Sequence, residues 1–132
     1  AEWARLGRPA GDIPLMGLAR HIVIAETDAE ALSIARRAYK LWRASFWYLW
    51  LKHNKSGVMP PFNPYPESFD ELIETDKAVA GSPETVRRKL LSQVEASGAN
   101  YCLIDVSFGD MAEHETMRTI ELFRQHVMPA FG

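Results

Sequence analysis

Between residues 80 and 109 the apolar positions change from a helical spacing to a strand spacing. In AGSPETVRRKLLSQVEASG, Val86, Leu90 and Val94 recur every four residues and mark one inward stripe, while Arg87, Arg88 and Lys89 fall mostly off it. Ser82 suits the N-cap, Pro83 the first helical position and Glu84 the positive end of the helix dipole. Gly98 supplies the left-handed residue that closes a helix. The next stretch, Tyr101 to Phe108, is apolar at nearly every position, which predicts a strand covered on both faces, as in a parallel sheet between helices.

The same reading extends along the chain. Residues 1–18 carry Gly7, Pro9, Gly11, Pro14 and Gly17 and form an irregular lead-in with at most a turn of helix. His21 to Ala25, HIVIA, is a short strand that runs into Thr27-Asp28-Ala29-Glu30, the spacing of a capping box. The helix so started extends from about Asp28 to about Lys52, with Ala31, Ala35, Ala38, Trp42, Phe46 and Leu49 on one face. Its second half, Trp42 to Leu51, is apolar on nearly every side and calls for cover beyond a single sheet.

Residues 54–68 hold Gly57 and four prolines, which excludes regular helix or a central strand. Phe62, Tyr65 and Phe69 interleave with those prolines, so the loop is expected to pack down in a lid-like manner. Ser68 to Thr75 is a short helix, Lys77 to Ala80 a brief strand. Met117, Ile120, Phe123 and Val127 give a closing helix that Pro129 stops. The βα alternation predicts one α/β domain over residues 1–132 with a parallel sheet and right-handed crossovers; a slice of a (β/α) barrel and a small open sheet both satisfy it.

A chain of 132 residues that is 47% hydrophobic is large enough for a real core. A net charge of −2 carries no basic excess, which argues against nucleic acid or an anionic membrane as partner. No apolar run approaches the roughly 20 residues of a membrane span and no signal peptide is visible; the single cysteine leaves a reducing cytoplasm as the default location. Cys102 is the single cysteine, which excludes an internal disulfide. His21, His53, His114 and His126 show no metal-binding spacing, so no metal site is expected.

Four segments in order, GLARHIVIAETDAEALSIA, VAGSPETVRRKLL, GANYCLIDVSFGDMAEHE and RTIELFRQHVMPAF, resemble the C-terminal part of bacterial luciferase-like flavin-dependent monooxygenases. Together they span Gly17 to Phe131. The resemblance implies a partial (β/α) barrel, the last βα units of a TIM-barrel-like fold with parallel strands, because such barrels run to about 250 residues. It also implies that the complete protein uses FMN or a related reduced flavin and O2 on a small organic substrate. The earlier strands that chiefly hold the flavin have no counterpart here, so the chain alone is expected to be inactive and to bind no flavin tightly. A non-enzymatic interaction or oligomerisation module is the alternative.

Site candidates follow from strand alternation and fold position. Asp105 and Ser107 share one face of the Tyr101 to Phe108 strand and would point into a barrel near the strand ends, where barrel enzymes place their chemistry. The structural alternative is a buried Asp105 paired with Arg20 or His21, or hydrogen-bonded to a backbone amide. His114, between Glu113 and Glu115, is a candidate for proton transfer at the site mouth or simply the solvated start of a helix. Phe108, Gly109 and Met111, after the last strand, are the candidates for contact with a flavin. Gly81-Ser82-Pro83-Glu84 has the setting of a phosphate site, but the Glu84 carboxylate favours a plain helix cap. Two free sheet edges and the Phe46 to Trp50 aromatic block predict a homo-oligomer.

Overall fold

The structure, a computed structural model, describes residues 2–9, 14–54 and 65–132. A short helix α1 (Glu2–Arg5) precedes strand β1 (Gly17–Ile24), which runs into helix α2 (Asp28–His53). Helix α3 (Phe69–Glu74), strand β2 (Ala78–Gly81), helix α4 (Pro83–Ser97), strand β3 (Tyr101–Asp105) and helix α5 (Glu113–Leu122) follow. A π-helical turn, Phe123–Val127, and a 3-10 turn, Met128–Phe131, end the chain.

The three strands form one parallel sheet in the order β2-β1-β3. The pairings are offset: β2 lies beside the second half of β1, with Ile22 opposite Val79, and β3 beside the first half, with Gly17 opposite Tyr101. From β1 the chain steps to one side and then returns across β1 to the other. Crossovers of one hand running in opposite directions put their helices on opposite faces.

That is the packing seen. On one face Val23 and Ala25 meet Ala31, Ala35, Ala38 and Tyr39 of α2 and Phe69 and Leu72 of α3. The alanine stripe lets α2 sit close on the sheet. On the other face Ile22, Ile24 and Val79 meet Val86 and Leu90 of α4, Leu122 of α5 and Val127. Burying each large aliphatic side chain contributes about 1.5–3 kcal/mol, so β1, with four consecutive buried residues, is the anchor of the fold.

The caps form as their residue types dictate. Thr27 Oγ1 accepts from the Glu30 amide at 3.2 Å, Ser68 Oγ from the Glu71 amide at 3.1 Å, and Ser82 Oγ from the Thr85 amide at 3.4 Å. Gly98 closes α4 at φ 65°.

Several expectations are corrected. Strand β1 begins at Gly17, not His21, because GLAR completes the ladder to β3. Strand β3 ends at Asp105 and is not covered on both faces: Tyr101 is 48% and Leu103 56% exposed, and Cys102 is exposed too. An apolar run reads the same whether a strand is central or at an edge with one bare face, and here the central strand is β1.

In α2 the inward stripe holds through Ala38, but Phe46 and Leu49 are exposed while Tyr39 and Trp47 are buried. In α5 Met117 and Ile120 are exposed, and Thr119 and Leu122 face the sheet. The wide turn at 123–127 explains the shift, since it changes the phase that brings Val127 inward. Asp105 is half-exposed rather than buried. Of the proline-rich loop, residues 55–64, with Phe62, lie outside the described residues; Tyr65 and Phe69 pack on the α2 face as expected.

Candidate functional site

In an open parallel sheet the order of strands reverses at one point, and the crevice at the carboxyl ends there is the usual ligand position. Here it lies beside β1, between the turn at Glu26 and the loop 106–112 after β3. A cavity of about 390 Å3 is lined there by Ile24, Ala25, Arg37, His114, Glu115 and Arg118. Its charges are engaged with one another. Arg37 donates to Asp110 Oδ1 at 3.1 Å and to Glu115 Oε2 at 2.6 Å, and Arg118 donates to Glu26 and Glu121. The Arg37 guanidinium holds the Glu115 carboxyl below its ordinary value, and the Ala112 amide, donating at 2.8 Å, adds to this. His114 is exposed at the edge of this network.

The loop that carries the expected flavin contacts is turned inward. Phe108 is 5% exposed, its ring 4.9 Å from that of His21 and stacked 6.3 Å from Phe69. Gly109 has φ +62°, and a Cβ there would stand 1.8 Å from the Ala38 carbonyl oxygen, so the loop backbone lies directly on α2. Met111 packs on the same core. Phe108 and Gly109 are therefore used in packing and do not fit a flavin ring.

The N-terminus of α4 is filled as well. Asp28 Oδ1 accepts from the Ser82 amide at 2.6 Å and its Oδ2 from the Thr85 hydroxyl at 3.1 Å. The Ser82 amide, foremost, holds the Asp28 carboxyl below its usual range. The anion at this helix end is the chain's own carboxylate, so the position does not fit a cofactor phosphate. The capping role expected of Gly81-Ser82-Pro83-Glu84 is the one observed.

Asp105 and His21 come together. They are paired residues in the β1–β3 register, and Asp105 Oδ2 lies 3.0 Å from His21 Nδ1. Asp105 Oδ1 also receives the Ser107 amide at 3.4 Å, while the residue Ser107 itself is exposed. His21 is 8% exposed, edge-on to Trp42 at 4.5 Å. Thus the candidates split: Asp105 borders an aromatic recess, Ser107 is exposed beside it in sequence, His114 lines the carboxyl-end crevice, Phe108 is in the core with Met111 packed against it, and Gly109, itself exposed, lays its backbone on α2. Among the described residues no group of three or more His, Cys, Asp or Glu side chains could hold a metal ion.

No protein-family model matches the sequence. It is 35% identical over 117 residues to the uncharacterized protein y4wF of Sinorhizobium fredii, a match that covers 89% of this chain and 33% of that protein. Its fold is like that of the monooxygenase RslO1 from Streptomyces bottropensis, with a TM-score of 0.63, 19% identity, and 98% of this chain laid on 34% of that one. Apo-MsnO8 is similar at a TM-score of 0.54 and 22% identity, with 94% of this chain on 36% of that one. The chain spans about a third of the length of each of these proteins. At these identities the two solved structures establish a shared α/β fold.

Sequence reasoning passed over Arg37, Asp28 and Thr119. Arg37 sits in an ordinary solvated stretch, ARRAY, and nothing local announces that it ties α2 to the loop after β3. Asp28 was legible as part of a capping box for α2, yet it also caps α4. Thr119 was hidden by the apolar positions around it; its hydroxyl bonds both the amide and the carbonyl of Ile24, at 3.2 and 3.3 Å.

Proposed function

We propose that this chain is the C-terminal portion of a luciferase-like flavin-dependent monooxygenase, whose complete form oxidises a small organic substrate with reduced flavin and O2. The observation that carries this reading is the likeness to RslO1, which takes in 98% of the chain as one continuous fold. The sequence resemblance supports it from an independent direction. On this reading further βα units pair with the free edges of β2 and β3, and the complete protein supplies the flavin contacts, since Phe108, Gly109 and the α4 N-terminus do not fit the group. FMN or a related flavin would bring the redox chemistry. This chain would supply one wall of the substrate region through His21, Asp105 and the aromatic residues beside them.

The test is oxygen uptake by the full product of the gene that encodes this segment, with photoreduced FMN and 18O2. The expected result is flavin-dependent uptake with label in an organic product. A protein that neither binds reduced flavin nor consumes O2 refutes the proposal.

A second reading has its own support. Leu41, Phe46, Tyr48, Leu49, Trp50 and Leu51 leave the second half of α2 with a broad exposed apolar face. A homo-oligomer or interaction module would use that face and the open edge of β3.

A further inference from the structure

The α2-side face of the sheet changes character half-way along β1. Val23 and Ala25 are buried, whereas Gly17 and Ala19 are exposed, and His21 stands at the boundary. Its ring is enclosed by Trp42 at 4.5 Å, Phe108 at 4.9 Å and Tyr65 at 6.3 Å. A cavity of about 250 Å3 opens onto it, lined also by Arg20, Trp42, Tyr65, Lys77 and Asp105. Despite the 3.0 Å approach to Asp105, His21 Nδ1 makes no hydrogen bond among the described residues, because the two groups are not aligned for one. A buried ring nitrogen left in this state is costly in a finished core.

The chemistry of the lining narrows what would satisfy it. An ionised Asp105 only accepts, and a neutral imidazole has one accepting nitrogen, so the recess calls for a ligand that donates. Trp42 and Tyr65, edge-to-face at 4.8 Å, present aromatic walls suited to a flat ring. The volume, below the roughly 300–1,000 Å3 of drug-sized sites, limits that ring to a small one. Arg20 also lines the cavity but its guanidinium donates to Gln93 Oε1 at 2.7 Å and to the Ala19 carbonyl at 2.8 Å, so Lys77 is the cation at the rim that would stabilise negative charge on the ligand.

We propose that this recess binds a small hydroxylated aromatic molecule and accepts its hydroxyl proton. The O–H bond breaks, an N–H bond forms on His21, and the resulting phenolate and imidazolium are held by Lys77 and by Asp105, respectively. His21 is the proton acceptor, and the Asp105 carboxylate, 3.0 Å from its Nδ1, stabilises the charge it gains. The charged and titratable groups around the imidazole are Arg20 on β1, Tyr39 on α2, Tyr65 and Lys77 from the connections before α3 and β2, and Asp105 on β3. The inference concerns the same His21–Asp105 wall that the monooxygenase reading places beside the substrate, but it needs no flavin and is tested on this chain alone, so it can fail or hold independently of that reading.

The experiment is difference spectroscopy of this chain with 4-nitrophenol, whose ionised form absorbs at longer wavelength, and with 4-nitroanisole, which has the same ring but no hydroxyl. Saturable binding of 4-nitrophenol in its ionised form is expected, with 4-nitroanisole about tenfold weaker, the loss of one good hydrogen bond. Asp105→Asn, a change at a half-exposed residue, is expected to keep the wild-type melting temperature and bind within about threefold while losing most of the ionised spectrum. His21→Gln is expected to lose both. Wild-type protein that shows no saturable binding, that binds the two probes equally, or that gives an Asp105→Asn variant with the full ionised spectrum overturns the proposal.

Discussion

Replacing Gly109 by alanine isolates a single close approach of backbone to backbone. At φ +62° an L residue incurs strain of about 1–2 kcal/mol. The added Cβ would also meet the Ala38 carbonyl oxygen at 1.8 Å. That oxygen belongs to the α2 backbone and has no rotamer to escape into, so the loop must lift, a change comparable to overpacking at about 1–3 kcal/mol. Stiffening the unfolded chain returns about 0.4–1 kcal/mol. The net loss expected is therefore about 1–5 kcal/mol, centred on about 3 kcal/mol.

Gly98 provides the control, with φ +65° and nothing within 4 Å of its Cβ position. Gly98→Ala is expected to cost about 1 kcal/mol or less. Urea unfolding followed by tryptophan fluorescence measures both, with slopes unchanged. Equal losses for the two variants, within about 0.5 kcal/mol, would refute the packing described for the loop after β3.

Thr119→Val removes a buried hydroxyl that serves both backbone groups of Ile24; a loss of about 1–3 kcal/mol is expected in the same assay, with Thr119→Ser much milder. Asp28→Ala, which leaves the Ser82 amide without its carboxylate, is expected to cost about 1 kcal/mol at neutral pH. Because the Asp28 carboxyl titrates below its ordinary value in the fold, its contribution is complete above about pH 4 and disappears as pH falls through the lower folded value. Melting curves of wild type and Asp28→Asn between pH 2 and 6 should therefore converge at the acid end, and a gap that persists there would contradict the assignment. Leu49→Glu together with Leu103→Lys, two changes on exposed apolar surface, is expected to shift light-scattering mass toward the monomer if the chain self-associates as proposed.

Much of the fold was legible because its signals are local. Thr27, Ser68, Ser82 and Gly98 end or begin helices through bonds within their own neighbourhood, and a parallel βα succession fixes the direction of the strands. What the sequence hid is non-local. Whether HIVI or YCLID lies at the centre depends on which strand the chain crosses on its return, and both runs are equally apolar. Phe108 and Gly109 read as loop residues near a site, yet their roles are set by α2, some 70 residues earlier in the chain. Asp105 was legible as a candidate partner of His21 because strand neighbours bring such residues together; the recess beside them depends on Trp42 and Tyr65, which no spacing connects to β3.

The claim on which the site and the fold likeness both rest is that β1 is the inner strand and β3 an edge. Native-state hydrogen exchange of the amides tests it most directly. The amides of Ile22, Val23 and Ile24 are expected to exchange only on global unfolding, while alternate amides of Tyr101–Asp105, those facing away from β1, exchange orders of magnitude faster. Uniform protection along Tyr101–Asp105 with rapid exchange in His21–Ile24 would contradict it.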